Sequence, residues 1–165
     1  MVSSSDSFTV HVAPYIDQLV AQYVPEPSPP VLTPADPNIR LSVLMGPEPT
    51  SDVFRFMQTA PYGSLVGSLS YIAVVARPDI ARAVHSLQRA QNNPSRKHWQ
   101  AALHVLHYLR STPTLGPRYR RVADINDLQL SAYIDASFAP DWKDTDGISV
   151  TGYIMLGPSA GRKTH

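Results

Sequence analysis

Cysteine is absent from the 165 residues, so neither a disulfide nor a thiolate metal site is open to this chain. Charge is scarce: Asp, Glu, Lys and Arg together make 16%, against about 25% in an ordinary globular protein. Long apolar runs are missing too. The longest, 71–76, falls far short of the ~20 residues of a membrane helix, so no membrane partner is expected. The first ten residues, MVSSSDSFTV, have neither the basic start nor the apolar stretch of a secretory signal. These absences predict a chain that is not secreted and stays inside the cell, in the cytoplasm or nucleus. A hydrophobic share of 43% excludes disorder throughout.

What charge there is lies unevenly. The net value of +1 hides a basic middle between acidic flanks. Residues 77–121 hold Arg77, Arg82, Arg89, Arg96, Lys97, Arg110, Arg118, Arg120 and Arg121 against Asp79 alone, a local +8. Residues 1–60 stand at −4 and 122–165 at −3. Clustered cations draw phosphate backbones by releasing counterions, whatever the base sequence. A solvated helix surface would carry the same residues without any ligand.

Proline divides the chain. Ten of its 16 prolines fall within 1–61, where they forbid a long helix or a central strand. One short helix is predicted there, over 15–23, with Ile16, Leu19, Val20 and Tyr23 on one face and Pro14 in its first turn. From 25 to 61 extended or irregular chain is expected. Residues 64–76 are uncharged and read as a helix buried all round, with Gly67 permitting close approach of a neighbour. Arg77-Pro78-Asp79 breaks it and opens a second helix to 91, with Ile80, Ala83, Val84 and Leu87 on its apolar face and Arg82, His85 and Arg89 on another. Ser95 caps a third helix over 96–110, with Trp99, Ala102, Leu103, Leu106 and Leu109 as its buried stripe. Residues 128–134 alternate as a strand that ends at Asp135, and a second strand spans 148–156, with Gly152 suggesting a bulge or a close neighbour. Two strands alone are marginal in water, so the chain's stop nine residues later predicts a truncated domain. The fold class expected is α+β: a proline-rich segment (1–61), a three-helix connecting unit (62–121) and the start of a sheet domain (122–165).

Several blocks in this order resemble copia-type retrotransposon polyproteins, over roughly 14–157. They are Tyr62-Gly-Ser-Leu-Val-Gly-Ser-Leu-Ser-Tyr-Ile-Ala73, Arg77-Pro-Asp-Ile80, His98-Trp99 with Ala102, Leu106-His-Tyr-Leu-Arg-Ser-Thr112 with Leu115-Gly116, Tyr133-Ile-Asp-Ala-Ser-Phe-Ala139 and Ser149-Val-Thr-Gly-Tyr-Ile-Met-Leu-Gly157. The resemblance implies the region joining the reverse transcriptase to its ribonuclease H, whose first two strands would be the hairpin around Asp135. It implies an intact parent that copies RNA into DNA and cleaves RNA in RNA–DNA hybrids with Mg²⁺. Asp135 matches the first-strand catalytic and metal-binding aspartate of that ribonuclease H. No Asp-Asp pair of the polymerase palm occurs anywhere in this sequence, and the other ribonuclease H carboxylates have no match. Two-metal cleavage needs several carboxylates to clamp ions about 4 Å apart. The chain itself is therefore expected to bind no cofactor and to catalyse nothing.

Other chemistry is poorly supported. His104 and His107 lie at i, i+3 without the i, i+4 spacing and Glu of a zinc helix. The resemblance puts Lys or Arg at these positions, which implies a partly cationic role toward a nucleic-acid backbone. Asp141, Asp144 and Asp146 lack the spacing and closing Glu of a calcium loop. Ser64 and Ser68 have no nucleophile elbow around them. The candidate nucleic-acid contacts are Arg82, Arg89, Arg96, Lys97, His104, His107 and Arg110, with an RNA–DNA hybrid or duplex and the rest of the polyprotein as partners. The alternatives are a binding module without catalysis and a structural remnant with no ligand.

Overall fold

A computed structural model describes residues 2–4, 7–36, 39, 41, 47, 51–120, 131–137 and 150–156. The chain is mixed helix and strand, in two compact units: Val10–Pro117, and Met1–Thr9 with Arg118–His165. The elements in order are β1 (Val2–Ser4), β2 (Ser7–Thr9), α1 (Ala13–Tyr23), α2 (Asp52–Thr59), α3 (Tyr62–Val75), a 3-10 turn (Pro78–Ile80), α4 (Ala81–Arg89), α5 (Arg96–Ser111), β3 (Arg118–Arg120), β4 (Ser131–Ser137) and β5 (Val150–Leu156).

The first unit is helical and holds the core. Ile16 and Leu19 of α1, Leu65, Leu69 and Ile72 of α3, Leu87 of α4 and Leu106 and Leu109 of α5 are almost fully buried against one another. At about 25 cal/mol per Å² such burial is the main force closing the unit. Pro14 sits in the first turn of α1, where its missing N–H costs nothing. Tyr62, at the start of α3, donates its hydroxyl to the Leu87 carbonyl at 2.8 Å, and burial pushes that phenol's pKa well above its usual value.

Three expectations need correction. The stretch before residue 61 is not irregular throughout, because α2 forms there. Between Pro49 and Pro61 the chain has no proline, and Ser51 caps the helix by accepting from the Phe54 N–H at 3.1 Å. Helix α3 is not buried all round. Tyr71 and Val74 on its outer side are 54% and 84% exposed, because its neighbours α4 and α5 cover a single face. Gly67 lies on the exposed side, and an added Cβ would meet nothing within 4 Å, so no close approach requires it.

Gly116 is the glycine that packing demands. A Cβ there would collide with the Val10 carbonyl oxygen. The Val10 N–H donates to the Pro117 carbonyl at 3.0 Å, which holds the two ends of the unit together.

The second unit contains two antiparallel sheets, β1-β2-β3 and β4-β5. The small three-stranded sheet was not legible in the sequence. In the hairpin, β4 runs past Asp135 to Ser137, so Asp135 lies within the strand and not at its end. Asp135 pairs with Gly152 in an unbroken register from Ser131↔Leu156 to Ser137↔Val150. Gly152 therefore marks no bulge, and nothing lies within 4 Å of a Cβ placed there. Residues 128–130, 138–149 and Arg121 lie outside the described residues.

One polar cluster locks the helical unit. Arg77 follows α3 and is fully buried. Its Nε and Nη2 donate to the Asp79 carboxylate at 3.0 and 2.8 Å. Nη1 donates to the Thr112 carbonyl at 2.7 Å, and Nη2 also to Thr112 Oγ1 at 2.8 Å. Tyr108 donates its hydroxyl to Asp79 at 2.8 Å, and its ring lies 5.1 Å beneath the guanidinium carbon. Burial alone would raise the Asp79 carboxyl, but the hydrogen bonds from Arg77 and Tyr108 and the Arg77 charge outweigh it and hold its pKa below the usual range.

These features predict measurable effects. Leu69→Ala should cost about 2–5 kcal/mol in urea unfolding, whereas Ile134→Ala, at a position 75% exposed, should stay within about 0.5 kcal/mol. Gly116→Ala should cost about 1–3 kcal/mol by overpacking against Val10. Because the folded pKa of Asp79 is depressed, its stabilisation is complete above the unfolded carboxylate value and is lost as pH falls through the folded one. Arg77→Ala should therefore lower the urea midpoint at pH 7 and lower it much less at pH 2. An equal loss at both would show that the ion pair contributes nothing.

Candidate nucleic-acid interface

The basic residues of the helical unit fall into three groups. Arg77 is consumed inside the core, paired with Asp79, and adds nothing to the surface charge. Arg82 is exposed on α4 and Arg89 half-buried at its end, on the side away from the buried Val84 and Leu87. Arg96 and Lys97 are exposed in the first turn of α5. The Arg96 guanidinium lies 5.1 Å over the Phe56 ring of α2, which fixes that side chain against the scaffold. No acidic residue occurs in the sequence between Asp79 and Asp124. The outer side of α4 and the start of α5 thus present Arg82, Arg89, Arg96 and Lys97 without compensating carboxylates from their own elements.

The third group lies farther along α5 and meets a strap of the chain's own proline-rich segment, residues 24–33. Arg110 Nη1 donates to the carbonyls of Val24 at 3.1 Å and Glu26 at 2.6 Å. His107 Nδ1 is hydrogen-bonded to the Ser28 hydroxyl at 2.9 Å. The Val31 N–H donates to Ser111 Oγ at 3.0 Å, and His104 Nε2 donates to the Thr33 carbonyl at 3.0 Å. His104, His107 and Arg110 stand three residues apart, one helical turn after another, and so match an extended segment laid along the helix. Burial holds the His107 imidazole below its usual pKa, and the nearby charges of Arg110 and His104 add to the effect.

Two further features escaped the sequence reading. His98 was not in the predicted stripe, yet it is fully buried. Its Nδ1 accepts from the Ser95 N–H at 3.0 Å and lies 2.8 Å from Ser95 Oγ, so it closes the helix start as the third residue of a capping box usually does. A Ser followed three residues later by a side chain able to accept is the signal that could have found it. Trp99, expected in the core, is half-buried and packs edge-on to Tyr23 with ring centres 6.2 Å apart. Ser68, weighed as a nucleophile, accepts from the Tyr15 hydroxyl at 3.1 Å.

Asp135 is exposed on β4. It is the one carboxylate among the described residues of β4 and β5. No group of three or more His, Cys, Asp or Glu able to hold a metal ion exists among the described residues. One carboxylate among the described residues of the hairpin is fewer than a Mg²⁺ pair needs. Among the described residues no helix is long and apolar enough to cross a membrane.

Similarity to known proteins is confined to sequence: no protein-family model and no solved structure matches the chain. The retrovirus-related Pol polyprotein from transposon TNT 1-94 of Nicotiana tabacum is 35% identical over 141 residues, 86% of this chain and 10% of that protein. The retrovirus-related Pol polyprotein from transposon RE2 of Arabidopsis thaliana is 36% identical over 129 residues, 76% of this chain and 8% of that protein. Secreted RxLR effector protein 161 of Plasmopara viticola is 40% identical over 99 residues, 60% of this chain and 66% of that protein. The chain spans about a tenth of the length of the two Pol relatives. Both the order of its sequence blocks and these matches assign it one origin: it belongs with the retrovirus-related Pol polyproteins of transposons, as a homologue of one part of them.

Proposed function

We propose that this chain is the connection between the polymerase and the ribonuclease H of a copia-type retroelement, and that its work is to hold an RNA–DNA hybrid by the phosphates without copying or cutting it. The observation that carries this reading is the acid-free outer side of α4 and α5, where Arg82, Arg89, Arg96 and Lys97 project from helices anchored by a buried core. Cations on rigid elements lose little freedom when they meet a phosphate, and such contacts are indifferent to base sequence. The hairpin that carries Asp135 opposite Gly152 fits the first two strands of a ribonuclease H-like sheet. The one carboxylate among the described residues of the hairpin falls short of the several that clamp two ions in the parent's cleavage, which supports a binding element over a nuclease.

The variant Arg82→Ala/Arg89→Ala/Lys97→Ala tests the binding. Affinity for a short RNA–DNA hybrid should fall steeply with salt in the parent chain. The slope of log K against log salt should flatten in the variant by up to about 0.9 per lost contact. An unchanged slope would remove these residues from the interface. Purified chain with Mg²⁺ or Mn²⁺ should neither extend a primer nor cut the RNA of a hybrid. Cleavage that disappears on Asp135→Asn would overturn the non-catalytic reading.

A further inference from the structure

Beside the cations, helices α2 and α3 and the turn between α4 and α5 enclose a cleft of about 220 Å³. Its floor is apolar and buried, formed by Met57 of α2 and Tyr62 of α3, with the half-buried Phe54 at its side. Its rim is made of carboxamides. Gln58 comes from α2, and Gln91, Asn92 and Asn93 come from the turn, all four exposed. No charged residue lines the cleft among the described residues. Two N–H groups of the turn, those of Gln91 and Asn93, donate to the carbonyls of Gln88 and Ala90. These bonds hold the turn, and its three carboxamide side chains remain exposed.

We propose that this cleft receives a single unpaired nucleobase of a nucleic-acid strand. A base is a flat heterocycle with an apolar face and an edge of mixed donors and acceptors. A carboxamide supplies one acceptor and two donors in a plane, the set that pairs with base edges. Phe54 offers a ring against which any base can stack, since every base has a π-face. The volume lies below the ~300 Å³ at which pockets for drug-sized ligands begin, and it suits one heterocycle. The phosphates flanking such a base would fall near Arg89 and Arg96, which stand two residues before Gln91 and two after Pro94, another lining residue. Arg96 is also tied to α2 through the Phe56 ring, so the cation and the cleft wall are one assembly. The duplex-holding reading uses the charged outer side of α4 and α5 and needs no base contact. The base cleft rests on that reading for its nucleic-acid partner and adds a contact to one base.

Abasic oligonucleotides separate the two. Full chain is titrated with fluorescein-labelled tetranucleotides of deoxyadenosine, of deoxythymidine and of abasic sites, all with the same phosphates and in the same salt. The base-bearing strands should bind about fivefold or more tightly than the abasic one, the size of one stacked base. The variant Gln58→Ala/Asn93→Ala changes only exposed side chains and should keep the parent's circular dichroism. It should lose that preference while binding the abasic strand as before. Phe54→Leu, which retains apolar bulk, should reduce the preference as well. Equal affinity for abasic and base-bearing strands, or a preference that survives the double variant, would overturn the cleft and leave the phosphate reading standing. Loss of abasic binding in Arg82→Ala/Arg89→Ala/Lys97→Ala with no base preference in either chain would leave the phosphate contact alone.

Discussion

A cation with no access to water must find partners, and Arg77 finds them in one arrangement of the chain. Its guanidinium takes the Asp79 carboxylate on one side and the Thr112 carbonyl and hydroxyl on the other. The same contact satisfies one of the carbonyls left open at the end of α5 and places positive charge where that helix's dipole favours it. Tyr108 closes the ring from α5 to Asp79. Three backbone pieces, the end of α3, the turn at Pro78–Ile80 and the end of α5, are thus fixed relative to one another within hydrogen-bond tolerances. Replacing a buried pair by apolar groups can leave stability unchanged, but leaving one member without the other is costly. The cluster therefore works as a constraint on geometry. Because α4 begins directly from that turn, its exposed face, and with it Arg82 and Arg89, inherits its direction from Arg77.

Periodicity carried most of the helical unit. The apolar spacing of Ile16 and Leu19, of Leu65, Leu69 and Ile72, and of Ala102, Leu106 and Leu109 identifies α1, α3 and α5 because each pattern meets a single core. It misjudged α3's far side, since Tyr71 and Val74 are as hydrophobic as the buried residues and composition does not say which neighbour is present. Helix α2 was hidden by the prolines around it, although Ser51 followed by Asp52 is a usable start signal. The strap of 24–33 has no period to read. Its order comes from α5, through His104, His107 and Arg110, so it can be inferred only once that helix face is known.

The candidate site shows the same division. A list of basic residues weights Arg77, Arg82 and Arg110 alike, yet one lies inside the core, one faces solvent and one holds the chain's own carbonyls. A buried arginine has a faint signature here, because Arg77 closes twenty-one uncharged residues and is followed within two positions by the only acid of the basic stretch. Nothing comparable distinguishes Arg110 from Arg82. The cleft beside α2 could not be read at all, since its walls come from two separate stretches, 54–63 and 91–94.

The relatives bear on which part of the chain holds its own shape. A match of 99 residues to the effector protein is longer than everything outside Val10–Pro117, so it takes in a large part of the helical unit. That unit contains every buried hydrophobic side chain among the described residues, whereas Tyr133, Ile134, Tyr153 and Met155 of the hairpin are each more than half exposed. A segment with its own core can keep its shape in a different protein, because burial within the segment offsets the entropy of ordering it. A two-stranded hairpin cannot do so by itself. The helical unit, with its internal ion pair and its outward cations, is therefore the part of this chain whose geometry depends least on what surrounds it.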